Sequence, residues 1–193
     1  MTRKKNELPK LANFFEIQRE FKKESDRGIA LILTAWLGDA LDAYLRSRVV
    51  DNTKAIQKLF DGDRPLSTFS ARINVAYLFG LIGAKQYADL HSIREIRNDF
   101  AHDREAISFK TQSISDRCKN LNAYKIDQET ETDPRLRRKS PRYAFMLATT
   151  LYTASFMTAS RTAQRPVWSE DDEDRYFNAA AEAIASTPNK LPL

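Results

Sequence analysis

From Tyr143 to Ser160 no side chain carries a charge, and arginines stand at both ends, Arg142 and Arg161. Thr149, Thr150, Thr153, Ser155, Thr158 and Ser160 interrupt the run. A membrane span needs about 20 mainly apolar residues, so the stretch is read as a buried core helix over about 141–161. A helix that is uncharged all round needs other elements to cover it. The rest of the chain supplies them in helical form, because its apolar residues recur at helical spacing and only 5 glycines occur in 193 residues.

Residues 1–8 read as a loose basic arm without the apolar core of a secretory signal. A helix is predicted over about 9–24, with Leu11, Phe14, Phe15, Ile17 and Phe21 on one face. A second runs from Asp26 or Arg27 to about Val49. Its apolar stripe includes Ile29, Leu33, Trp36, Leu37, Leu41 and Tyr44. A third spans about 53–60 and stops at Asp61-Gly62-Asp63-Arg64-Pro65, a strong turn signal. A fourth is expected from a Ser67 cap to about Ile82, ended by Gly83. Two more are expected over about 85–102 and 110–124, then a polar loop over 126–140. A last helix should start at Trp168-Ser169, where Ser169 and Asp172 have capping-box spacing. The expected architecture is all-α, one helical-bundle domain over 9–187 with seven or eight helices, and a tail at 188–193.

Composition narrows the chemistry. Thirty-one Lys and Arg against 26 Asp and Glu give a formal charge of +5, which permits a nucleic-acid partner without requiring one. Cys118 is the only cysteine and His91 and His102 the only histidines, so no disulfide forms within the chain and no zinc-type site is expected. No cofactor is expected, and a cytoplasmic location suits the cysteine usage.

The most informative segment is Asp89 to His102. Asn98 and His102 are four apart and share a helix face, and the long Arg97 side chain can reach the same side. Arginine grips phosphate as a fork, asparagine donates to it, and histidine moves a proton near neutral pH. The cluster therefore suits a phosphodiester, cut without a metal. The same three side chains also suit a purely structural polar network. A DNA-reading helix-turn-helix around Gly83 fits poorly, because Gln86 and Asp89 stand where its second helix needs apolar packing. Arg135, Arg137, Arg138 and Lys139 could touch phosphate, though a charged run in a loop is usually just solvated.

Arg97-Asn98-Asp99-Phe100-Ala101-His102 resembles the arginine–polar–histidine signature of the HEPN superfamily, helical domains of which many are metal-independent ribonucleases. A longer series resembles the mannitol operon repressor (MltR/MtlR) family. It comprises Arg27-Gly28-Ile29-Ala30, the segment from Pro65 to Ile73, Ala76-Tyr77 with Gly80-Leu81-Ile82, and then Asp89-Leu90, Ile93-Arg94, Ile96-Arg97-Asn98 and Phe100-Ala101-His102. That resemblance implies a helical transcriptional regulator. With no convincing DNA-reading element, it would act through a protein partner or RNA. A metal-independent endoribonuclease with Arg97, Asn98 and His102 as its catalytic set is the alternative, and a plain protein-interaction module the second. A homodimer is expected, because Phe14, Phe15, Phe21, Trp36 and Tyr44 offer more large apolar surface than one small bundle needs.

Overall fold

In a computed structural model of the chain, the structure describes residues 21–102, 106–130 and 140–167, with positions 169, 171, 172, 175, 178 and 179 beyond them. These residues form one short 3-10 turn, Phe21–Lys23, and seven α-helices, with no strand among them. The helices are α1 (Asp26–Arg46), α2 (Thr53–Phe60), α3 (Phe69–Leu78), α4 (Ala84–His102), α5 (Gln112–Asn120), α6 (Asn122–Thr130) and α7 (Pro141–Arg161). The expected all-α class is observed. The predicted helix over 9–24 lies outside the described residues except for its last turn, and so do the tail and Arg135, Arg137, Arg138 and Lys139.

The uncharged run is α7, and it packs chiefly against α1 along the centre of the bundle. Its interior face includes Phe145, Ala148, Thr149, Tyr152 and Phe156. Several of the hydroxyls that interrupt the run bond within the helix, whereas the buried Thr150 hydroxyl has no partner. Thr149 Oγ1 donates to the Phe145 carbonyl at 2.8 Å and Thr153 Oγ1 to the Thr149 carbonyl at 2.7 Å. By length and apolar content, α1 rather than α7 could cross a membrane, and more than half of that stretch is buried inside the bundle. Arg142 clamps the two helices at one end. It pairs with Asp26 at 2.5 Å and donates to the carbonyls of Phe21 and Glu24, while Asp26 also accepts from the Phe109 N–H. Phe100, Phe109 and Phe145 stack in sequence beside it, with ring centroids 4.9 and 5.2 Å apart.

Several predicted boundaries shift, each for a local reason. The cap of α3 is Thr68, whose side chain accepts from the Ala71 N–H at 3.2 Å, rather than Ser67. Thr68→Ala should cost about 1 kcal/mol, and Ser67→Ala a few tenths at most; urea unfolding of both variants checks the assignment. Helix α3 ends at Gly80, with φ +67°, and not at Gly83. The Leu81 N–H bonds the Ala76 carbonyl and the Gly80 N–H the Tyr77 carbonyl, both at 2.9 Å. This is the paired C-terminal closure that a left-handed glycine permits.

The helix expected over 110–124 is two helices, broken at an extended Leu121. The break is made by Asp89, 2% exposed, on α4. Its carboxylate accepts from the N–H groups of Asn122 at 2.8 Å and Ala123 at 3.0 Å, so a new helix starts there. That helix runs on to Thr130, so the first residues of the expected 126–140 loop are helical. At Ser169 the expected cap is present: the Asp172 N–H donates to Ser169 Oγ at 3.1 Å, and the Ser169 N–H donates to the Asp172 carboxylate at 3.2 Å.

Two groups are put out of chemical use by burial. Burial pushes the Cys118 thiol up to about 12, which removes it as a nucleophile at neutral pH. The Tyr152 phenol is driven far above its ordinary value by burial and by its bond to Asp89.

Candidate functional site

The segment singled out in the sequence folds as the second half of α4. Leu90, Ile93, Ile96 and Phe100 face the core. This leaves Arg94, Arg97 and Asn98 on the side that looks towards α1 and the start of α3, where they line a groove of about 400 Å³. Arg97 Nη1 donates to Asn98 Oδ1 at 3.1 Å. Thr34 and Asp39 of α1 and Ser67, Thr68 and Ser70 before and within the first turn of α3 complete the polar wall.

Arg72 also borders the groove but is committed to the fold. It donates to the Leu66 carbonyl at 2.7 Å and pairs with Asp42 at 2.9 Å. Arg46 binds the other oxygen of Asp42 and reaches Asp61, which ties the turn after α2 to α1.

Of the three candidate catalytic side chains, the structure thus brings Arg97 and Asn98 together. His102 is exposed at the last residue of α4 and is not among the residues lining the groove. The other histidine, His91, lies about three turns back towards the start of α4. Its Nε2 is 3.1 Å from Asn74 Oδ1, which also accepts from the Tyr87 hydroxyl. Burial and the nearby Arg94 guanidinium lower its pKa, so it stays neutral to lower pH than a free imidazole. No group of three or more His, Cys, Asp or Glu side chains able to hold a metal exists among the described residues.

A second concave surface was not foreseen in the sequence. Between the end of α1, α2 and the end of α3 lies an apolar groove of about 430 Å³, lined by Leu45, Val49, Leu59, Pro65, Val75 and Phe79 among others. Phe79 is 75% exposed at its rim and the neighbouring Leu78 is 79% exposed. The signal was present as two large apolar residues directly before a terminating glycine, but it was read as continuing helix.

By contrast, α4, the helix that a DNA-reading motif would have to present, is packed against α1, α3, α5, α6 and α7. Gln86 accepts from the Gly83 N–H and Asp89 is buried, so neither is offered outward as a base-reading side chain. Among its described residues the molecule is an all-helical bundle that carries a polar groove and an apolar groove on its surface.

Comparison with known proteins gives that class a family. The family model for the mannitol repressor, MtlR, matches residues 27–163, and the chain belongs to that family. The mannitol operon repressors of Escherichia coli K12 and of Escherichia coli O6:H1 strain CFT073 are each 32% identical over 60 residues, 31% of this chain and 31% of the relative. The matched segment therefore spans about a third of the length of these curated relatives. The solved structure of the MtlR–HPr complex from Escherichia coli has a similar fold. Its TM-score is 0.59 at 17% identity, over 75% of this chain and 98% of that one.

Proposed function

We propose that this chain is a transcriptional repressor of the mannitol-operon type that works by binding a protein partner, and that the partner is an HPr-type protein seated on the apolar groove. The observation that carries this reading is the exposed rim of that groove. Leu78 and Phe79 each keep about three quarters or more of their surface in water next to a preformed apolar hollow. Large rings at the edge of a pocket are the side chains on which protein interfaces concentrate their binding energy. HPr is the partner suggested by the relative of like fold that was solved as an MtlR–HPr complex. A cytoplasmic location belongs to the same proposal.

Enclosure of α4 by five helices supports action without direct operator reading. Gel-shift titration of the purified chain against its operator duplex and a scrambled duplex is expected to show no preference between them. A preference of tenfold or more for the operator would overturn this part of the reading. The same preparation, incubated with labelled RNA in EDTA, is expected to cleave nothing, and His102→Ala to behave as wild type. Metal-free cleavage that His102→Ala abolishes would establish the ribonuclease alternative instead.

Homodimerisation remains part of the proposal on changed grounds. Phe21 and Tyr44, expected to face a second copy, are buried within the bundle. Phe21 packs edge-on against the partly buried Trp36 and Tyr44 stacks on Phe156, with ring centroids 5.6 and 5.5 Å apart. Phe14 and Phe15 lie outside the described residues. Among the exposed apolar side chains, Leu78 and Phe79 form an adjacent pair that a second copy could cover, and a dimer on that pair would compete with the partner.

A further inference from the structure

The polar groove between α1, the start of α3 and α4 holds two kinds of unused binding capacity, and it shares no lining residue with the apolar groove. The first is charge. Arg94 and Arg97 stand one helical turn apart on its wall, and neither is paired with a carboxylate among the described residues, whereas Arg72 is spent on Asp42. The acidic side chain among the described lining residues is Asp39, which is exposed. The start of α3 adds the positive end of its dipole to the same wall.

The second is unsatisfied polarity. Thr34 is 5% exposed, lines the groove, and its Oγ1 has no hydrogen-bond partner. The buried Nε of Arg94 has none either. A buried hydroxyl left unbonded is costly, and folded proteins rarely leave one without a reason. Two such atoms lining one groove, one on each facing helix, are explained together by a molecule that accepts from both.

We infer that this groove is a binding site for a small phosphate monoester that carries hydroxyl groups. Two guanidinium forks, a buried hydroxyl and a helix start match the several acceptor oxygens of a phosphate. The groove, at about 400 Å³, is far larger than a phosphate alone. Ser67 and Ser70 on the remaining wall are partners for alcohol groups. Because the site is distinct from the apolar groove, it gives the chain a means of sensing a phosphorylated metabolite independently of its protein partner.

The test is calorimetric titration of the full chain, in phosphate-free buffer at low salt, with glucose 6-phosphate, glucose and inorganic phosphate. Saturable binding of glucose 6-phosphate is expected, with inorganic phosphate competing more weakly and glucose not binding. Arg97→Ala and Thr34→Val should each weaken that binding roughly tenfold or more, the worth of one hydrogen bond to a charged group. Thr34→Val breaks no internal bond, so the unliganded variant should melt at or above the wild-type temperature. That result separates lost binding from lost folding. The inference is overturned if neither phosphate binds, if glucose binds as well as its phosphate, or if both variants titrate like wild type. No partner protein is present in this experiment, so its failure leaves the protein-partner reading standing, and the converse holds.

Discussion

Replacing Asp89 with alanine is expected to lower the unfolding free energy by about 3–5 kcal/mol, the range seen when a buried charge-bearing network loses its centre. The carboxylate sits at 2% exposure and accepts from four donors. These are the Asn122 N–H and side-chain amide, the Ala123 N–H and the Tyr152 hydroxyl, the last at 2.7 Å. Alanine would strand two backbone donors at the start of α6 and the buried phenol of α7. Tyr152→Phe removes one bond to a charged acceptor and should cost about 1.5–3 kcal/mol.

The same network sets a pH dependence. The Tyr152 phenol is held far above its ordinary value of 10.0 in the fold, first by burial and then by Asp89. The unfolded chain therefore loses this proton first. The stability associated with the protonated phenol is fully present below about pH 10 and is lost as pH rises beyond it. Urea unfolding followed by circular dichroism at pH 7 and pH 10.5 checks both statements. Tyr152→Phe should show a smaller alkaline loss than wild type, and Asp89→Ala unfolding within about 1 kcal/mol of wild type would contradict the assigned role.

Most of the scaffold could be read from local pattern, and the departures share one cause. The periodicity of Ile29 to Leu45, the uncharged run after Arg142 and the short amphipathic 53–60 stretch each encode a helix in their own residues, and those helices are present. The misplaced boundaries depend on partners distant in the chain or on one glycine's backbone. Nothing near Leu121 announces a break, because the carboxylate that starts α6 comes from residue 89. Leu81 and Ile82 continue an apolar pattern past Gly80, so the pattern favoured Gly83, while the left-handed backbone at Gly80 ended the helix earlier.

The candidate site divides in the same way. Arg97 and Asn98 were legible because the length of an arginine side chain lets it reach round to the side of its neighbour. His102 shares the face of Asn98 by spacing, yet α4 ends there and leaves it exposed. Thr34 and Arg94 were not legible, since being buried without a partner is a property of the packed molecule and not of a residue type. Leu78 and Phe79 were hidden because an apolar residue in a predicted helix is assigned to the core by default.

Phe79→Asp is expected to abolish partner binding while leaving the fold intact. At 75% exposure the ring contributes little to the bundle, so the unfolding free energy should change by no more than about 0.5 kcal/mol. At a partner interface an aromatic anchor of this kind is worth about 2 kcal/mol or more, a loss of roughly thirtyfold in affinity on truncation. A carboxylate in its place adds the cost of desolvating a charge against the apolar wall formed by Leu59, Val75 and their neighbours. Leu78→Asp, at the neighbouring exposed position, should act in the same direction.

The measurement that bears most directly on repression through a protein partner is calorimetric titration of the HPr protein from the same cell into the wild-type chain and into Phe79→Asp. Saturable binding by the wild type, weakened at least thirtyfold in a variant that melts at the wild-type temperature, is the predicted result. Absence of binding by the wild type, or undiminished binding by Phe79→Asp, would contradict the assignment of this partner to this groove.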